Sequence, residues 1–113
     1  MGQFETRTLD NGAVVVCADG RLNMVAAPVL RKHLHTLVDG GQSRVVVDLS
    51  KTELIDSSGL GALISGLKVA RQAGGDLRIA APTRQVTTVL ELTNLNRVLS
   101  VHPSPESAFD DRA

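Results

Sequence analysis

The chain has no tryptophan and no tyrosine, and Phe4 and Phe109 are its only aromatic side chains. Single-stranded nucleic acids are held largely by stacking on aromatic platforms, so that class of function finds no support. There is no surplus of positive charge either. Twelve lysines and arginines face twelve aspartates and glutamates, for a formal net charge of zero. A dedicated nucleic-acid binder draws much of its affinity from neutralising phosphates and would be basic. A single cysteine, Cys17, excludes an internal disulfide, and no Cys/His cluster has zinc-ligand spacing. No apolar run approaches the roughly 18 residues of a membrane-spanning helix. The opening Met1–Arg7 does not have the form of a signal peptide. These absences lead to the expectation of a soluble, cytoplasmic protein with no nucleic-acid partner, no membrane insertion and no metal.

What is present is an ordinary globular composition. Of 113 residues, 42% are apolar and 21% charged, which suits one hydrophobic core and one domain over residues 1–113. The first stretch reads as a hairpin. Gln3–Leu9 and the valine-rich Ala13–Ala18 flank Asp10-Asn11-Gly12, a tight-turn signal. The spacing of Val29, Leu30, Leu34, Leu37 and Val38 predicts a first helix over about Val25–Asp39, with Asn23 as N-cap and Gly40-Gly41 as its stop. Arg44–Leu49 is almost continuously apolar and reads as a central strand covered on both sides. A loop over Ser50–Asp56 is expected next. A second helix over Ser57–Gln72 has Leu60, Leu63, Ile64, Leu67 and Ala70 or Arg71 inward. A strand over Leu77–Ala81 is closed by Pro82. A third helix over Arg84–Thr93 turns Val86, Val89, Leu90 and Thr93 inward. A turn at Asn94–Asn96 leads to a fifth strand at Val98–Val101. A last helical turn within Glu106–Asp111 is anchored by Phe109. This order predicts an α/β fold: a mixed sheet of about five strands with one antiparallel edge hairpin, packed with about four helices.

The most informative segment is Asp48–Leu63, in which a buried strand feeds a loop that delivers Asp56, Ser57 and Ser58 to a helix start. In parallel sheets, sites form at the carboxyl ends of the strands. Serine and aspartate in that place also cap helices without further purpose. Asp56 either caps or orients a neighbouring hydroxyl. Ser58 serves as a cap or first-turn hydrogen bond, and Gly59 and Gly61 either allow close helix packing or keep the surface low.

Val45–Leu63 resembles the central segment of the STAS domain family, in particular the anti-sigma factor antagonists of bacterial partner-switching systems. The family's strand ending in D-L and its D-S-S-G-L-G element correspond to Val46–Leu49 and Asp56–Gly61. Gly20-Arg21-Leu22-Asn23 resembles its G-x-L-D, and Ala73–Ile79 its glycine stop and following strand. Leu90–Leu95 resembles the turn into the last strand. The resemblance implies that Ser57, with Ser58 as its nearest rival, is the phosphoacceptor of a serine kinase that doubles as an anti-sigma factor. The unphosphorylated form would bind that kinase and release a sigma factor. The phosphorylated form would let go, and a PP2C-type phosphatase would restore it. It also implies a partner-binding face of Asn23, Asp56, Ser57, Ser58, Gly59, Leu60 and Gly61, no catalysis and no cofactor. Asn23 departs from the aspartate usual in the family: it keeps the shape and capping ability but loses the charge, which bears on any ion pair the family makes there and on the choice of kinase partner.

Other readings are weaker. Neither serine has the G-x-S-x-G frame of a nucleophile elbow. Gly59-Leu60-Gly61 begins like a dinucleotide fingerprint, but residue 64 is isoleucine and no P-loop lysine follows. The resemblance leaves weak nucleotide binding open. It also leaves open a STAS module that scaffolds a transport or lipid-handling complex without switching, and a partner switch whose output is secretion, biofilm formation or motility. His33 and His35 lie two apart on a helix and face different ways. Cys17 reads as a small core residue, and Arg84 and Arg97 as surface charges or members of a binding face.

Overall fold

The computed structural model describes residues 4–110, so the expected strand residue Gln3 and helix residue Asp111 lie outside the described residues. The strands are β1 (Glu5–Thr8), β2 (Val14–Cys17), β3 (Gly20–Leu22), β4 (Arg44–Asp48), β5 (Thr52–Ile55), β6 (Asp76–Ala80) and β7 (Ser100–His102). The helices are α1 (Ala27–Asp39), α2 (Ser57–Gln72), α3 (Arg84–Leu92) and α4 (Pro105–Ala108), with a 3-10 turn at Leu95–Arg97.

The opening hairpin forms where Asn-Gly demands it. Gly12 takes φ 89°, the Asn11 side chain accepts from Ala13 N–H at 2.9 Å, and Thr8 pairs with Val14. The main sheet has the order β1-β2-β4-β6-β7; β1–β2 is antiparallel and the other pairs are parallel. Strand alternation divides its apolar residues between two faces. Val14, Val16, Val45, Val47, Leu77 and Ile79 join the inner faces of α1, α2 and α3 in the larger core. Ala13, Val15, Val46 and Ala80 meet Ala108 and Phe109 of the C-terminal turn in a smaller one. Phe109 is the expected anchor, and the Arg78 guanidinium lies 4.2 Å from the centre of its ring.

A second sheet adds to this frame. β3 and β5 pair in parallel, with Leu22 opposite Ile55. The segment expected as a loop over Ser50–Asp56 therefore contains a strand. Ser50-Lys51-Thr52-Glu53 looks polar, yet Thr52 is wholly buried, because its hydroxyl donates to Ala18 O at 2.6 Å.

Several boundaries move for local reasons. α1 begins at Ala27 and its buried stripe is Ala27, Leu30, Leu34 and Val38, so Val29 faces outward. Asn23 does not cap α1; its Oδ1 accepts from Val25 and Ala26 N–H at 3.0 and 3.2 Å and closes the turn ahead of the helix. Of Ala70 and Arg71, Ala70 is buried and Arg71 pairs with Asp76. β6 ends at Ala80, since Ala81 takes φ 51° as it donates to His102 O at 2.8 Å. Thr93 is exposed and its hydroxyl bonds back to Val89 O, ending α3 at Leu92. The last strand is displaced to Ser100–His102, and Val98 and Val101 are exposed along its edge.

His102 is half-buried in that edge strand, and burial followed by the Arg78 charge pulls its pKa below the ordinary imidazole value. The unfolded chain therefore takes up this proton first as pH falls, and stability is lost on the acid side. Urea unfolding should show stability decreasing from about pH 7 to about pH 5, from the ordinary imidazole pKa downward. His102→Gln should flatten that slope.

Candidate functional site

The site is built at the end of the small sheet. The β3–β5 ladder closes where Asp56 N–H donates to Leu22 O at 3.2 Å. On the far edge of β5, Ile55 N–H donates to Gln85 Oε1 at 3.1 Å, and the Thr83 hydroxyl donates to Thr52 O at 3.0 Å. The strand is thus held between β3 and the start of α3, and it aims Asp56 in one direction. Asp56 is extended, with φ −113° and ψ −173°, and its carboxylate accepts from Gly59 N–H at 3.1 Å. It is the N-cap of α2, which leaves Ser57 as the first helical residue.

That assignment matters for the hydroxyls. With the cap taken by Asp56, the Ser57 side chain has no part in starting the helix and is exposed. Ser58, expected to cap or bond in the first turn, makes neither bond among the described residues; it is half-buried in the wall of a groove. Gly59 is under strict constraint, since a Cβ there would lie 2.4 Å from Leu22 O and 2.8 Å from Ile55 Cγ1. Gly61 has open space around it and lines the groove. Among the residues expected to face a partner, Gly59 and Leu60 are buried. Asn23, Ser57, Ser58 and Gly61 remain accessible in full or in part, and the pairing of Leu22 with Ile55 brings the Asn23 turn beside the α2 start.

Beside these residues lies a groove to which no sequence motif corresponds. It lies between α1 and α2, has a volume of about 700 Å³, and is bordered by Met24, Pro28, Arg31, Lys32, His35 and Ser58. Ser65 of α2 ties two of the α1 side chains across to α2: Arg31 Nε lies 3.0 Å and His35 Nε2 2.7 Å from Ser65 Oγ. A signal was available, because residues 31, 32 and 35 recur at one-turn spacing in a stretch without carboxylates.

The remaining candidates fall elsewhere. His33 meets Thr6 Oγ1 at 2.8 Å and stacks on Phe4, away from His35. Among the described residues no group of three His, Cys, Asp or Glu side chains could hold a metal ion. No described helix is long and apolar enough to cross a membrane. Cys17 is half-buried and not a full core residue; its Sγ lies 3.8 Å from Asp48 Oδ2. Burial, then the Asp48 charge, raises the pKa of its thiol. Arg84 and Arg97 are exposed on α3 and the 3-10 turn.

The model of the STAS domain matches residues 4–108. The chain belongs to the STAS domain family. STAS relatives resemble it along most of their length. A Thermotoga maritima protein that carries the provisional name of an anti-sigma factor antagonist is 28% identical over 109 residues, covering 96% of each chain. A Bordetella bronchiseptica protein with the same provisional designation, BtrV, is 32% identical over 98 residues, covering 87% of this chain and 84% of its own. A crystal structure from Thermotoga maritima, again of a provisionally named anti-sigma factor antagonist, superposes with a TM-score of 0.87 at 28% identity, over 96% of this chain and 92% of the other.

The two glycines of the α2 start should respond in opposite directions. Gly59→Ala forces a methyl group against backbone and should cost about 1–3 kcal/mol. Gly61→Ala meets open space and should gain up to about 1 kcal/mol from helix propensity. Asp56→Ala should lose about 1 kcal/mol of capping. Thermal unfolding of the three variants measures all of these.

Proposed function

We propose that this chain is an anti-sigma factor antagonist whose binding is switched at Ser57. In its unphosphorylated form it docks on an anti-sigma factor serine kinase and frees that kinase's sigma factor or other target. Transfer of the ATP γ-phosphoryl group to Ser57 Oγ, with loss of the hydroxyl proton and departure of ADP as the β–γ bond breaks, ends the docking. A PP2C-type phosphatase hydrolyses the phosphoserine and resets the chain. In this reading residues 1–113 form one STAS domain, which works in the cytoplasm, catalyses nothing and needs no cofactor.

One observation carries the proposal: an exposed serine hydroxyl stands at the first position of α2 while the neighbouring aspartate caps the helix. A kinase can reach such a hydroxyl without unfolding anything. The similarity to proteins named as antagonists supports the same reading. A phosphate adds about −1.5 to −2 charges. A helix N-terminus favours an anion by roughly 0.3–1 kcal/mol, so the domain itself tolerates the change. A docked partner does not. Like charges about 4 Å apart repel by ~4 kcal/mol at an effective dielectric of ~20, and a third of that changes affinity about tenfold.

Incubation with an anti-sigma factor kinase of the same genome and Mg-ATP, followed by phosphopeptide mapping, tests this. Phosphate should be found on Ser57. Ser57→Ala should block it while kinase binding persists. Ser57→Asp should weaken binding about tenfold with little change in melting temperature. Phosphate confined to Ser58, or a Ser57→Asp chain that binds as tightly as the original, would overturn the assignment.

A further inference from the structure

The chain is neutral as a whole, but its charges are not evenly spread. From Gly20 to Val38 it carries Arg21, Arg31, Lys32 and two histidines without one aspartate or glutamate. α2, from Ser57 to Gln72, carries Lys68 and Arg71 and no acidic residue. These two segments supply both walls of the groove beside Ser57. Neither Arg31 nor Lys32 has a carboxylate partner among the described residues. Arg31 is steadied through Nε by Ser65, which leaves its terminal nitrogens available. Next to this cationic rim lies apolar surface that a monomer gains nothing by exposing. Met24 is 71%, Val25 77% and Val29 49% exposed.

We infer that the groove between α1 and α2 is a docking site for an acidic amphipathic helix of the partner kinase, which sets its apolar face on Met24 and Pro28 and its carboxylates on Arg31 and Lys32. The inference rests on the partner-switch reading for the identity of the partner, and extends it from one hydroxyl to a specificity surface. Its dimensions suit that occupant. The rim residues of α1 run from Ala27 to His35, about 12 Å at 1.5 Å per residue, or some two turns of a docked helix. The charge on the rim is complementary to carboxylates, which favours fast and selective encounter. A concave trough between two helices fits a helix better than it fits a flat lipid surface. Ser58 lies in the wall of the groove and Ser57 precedes it, so a phosphate on Ser57 brings its negative charge to the edge of a site that takes acidic side chains. Phosphate and partner carboxylates then repel one another, and the kinase that docks to modify Ser57 lets go of the phosphorylated product.

The test measures affinity for the same kinase by calorimetry, for the wild-type chain, Lys32→Glu and the double variant Arg31→Glu/Lys32→Glu. Lys32 makes no hydrogen bond or ion pair among the described residues, so the single variant keeps the fold and circular dichroism monitors the double. Lys32→Glu should weaken binding about tenfold and the double variant further, and wild-type affinity should fall as salt rises from about 50 to about 500 mM. A synthetic helix patterned with leucine and glutamate should shift the amide resonances of residues 24–35 and 58–65, and its lysine-for-glutamate counterpart should not. Undiminished kinase binding by the double variant would overturn the inference. So would equal response to both peptides, no response to either, or tighter binding to phosphatidylglycerol vesicles than to the acidic helix. The Ser57→Asp chain in the same calorimetry separates the two proposals. If it binds normally while the charge-reversed variants do not, the switch falls and the groove stands; the reverse result removes the groove alone.

Discussion

The carbonyl oxygen of Leu22 accepts the Asp56 N–H at 3.2 Å, and it also lies 2.4 Å from where a Cβ on residue 59 would sit. Both facts describe one junction, where the short β3 strand ends beneath the start of α2. The hydrogen bond fixes the direction in which β5 hands the chain to the helix. The close approach requires glycine at 59. Together they fix where Asp56 can cap, and hence which residue becomes the first of the helix. Gln85 and Thr83 hold β5 from the other side. The exposure of Ser57 therefore follows from the packing of two small strands and from no property of the serine itself.

Electrostatics then divides the labour between the two sides of this platform. Asp56 spends its charge inside, on a backbone N–H, and Ser57 is left neutral and accessible. The cationic groove lies next to it. In a chain of zero formal charge, such local separation gives a surface with a definite sign without the non-specific binding to nucleic acid or membrane that a strongly basic protein shows. In the proposed reading, a single modification acts by charge alone, at the edge of the docking surface, with the fold unchanged.

Much of this was legible in the residues. The apolar run Arg44–Asp48 and the helix Ser57–Gln72 were readable because their patterns are long and their stop signals strong. The edge hairpin was readable from Asn11-Gly12. The β3–β5 sheet was not, because strands of three and four residues with Arg21, Thr52 and Glu53 in them show no periodicity. Thr52 is buried only because Ala18 offers it a carbonyl, a contact no local pattern reveals. Val29 and Thr93 fit a helical stripe on paper, and packing turned both outward. The groove belongs to two helices far apart in the chain, so spacing within either one shows at most half of it. Asn23 has the chemistry of a helix cap, yet it closes the turn before the helix, a displacement that fixes the loop beside Ser57.

The central claim is that phosphate changes what can dock on a platform that does not itself move. Amide hydrogen exchange on the purified chain, with and without phosphate on Ser57, measures this directly. The account predicts unchanged protection across β3, β5 and the body of α2, with differences confined to the amides next to the modified residue. Loss of protection along β5 or at the Leu22–Asp56 hydrogen bond in the phosphorylated chain would contradict it.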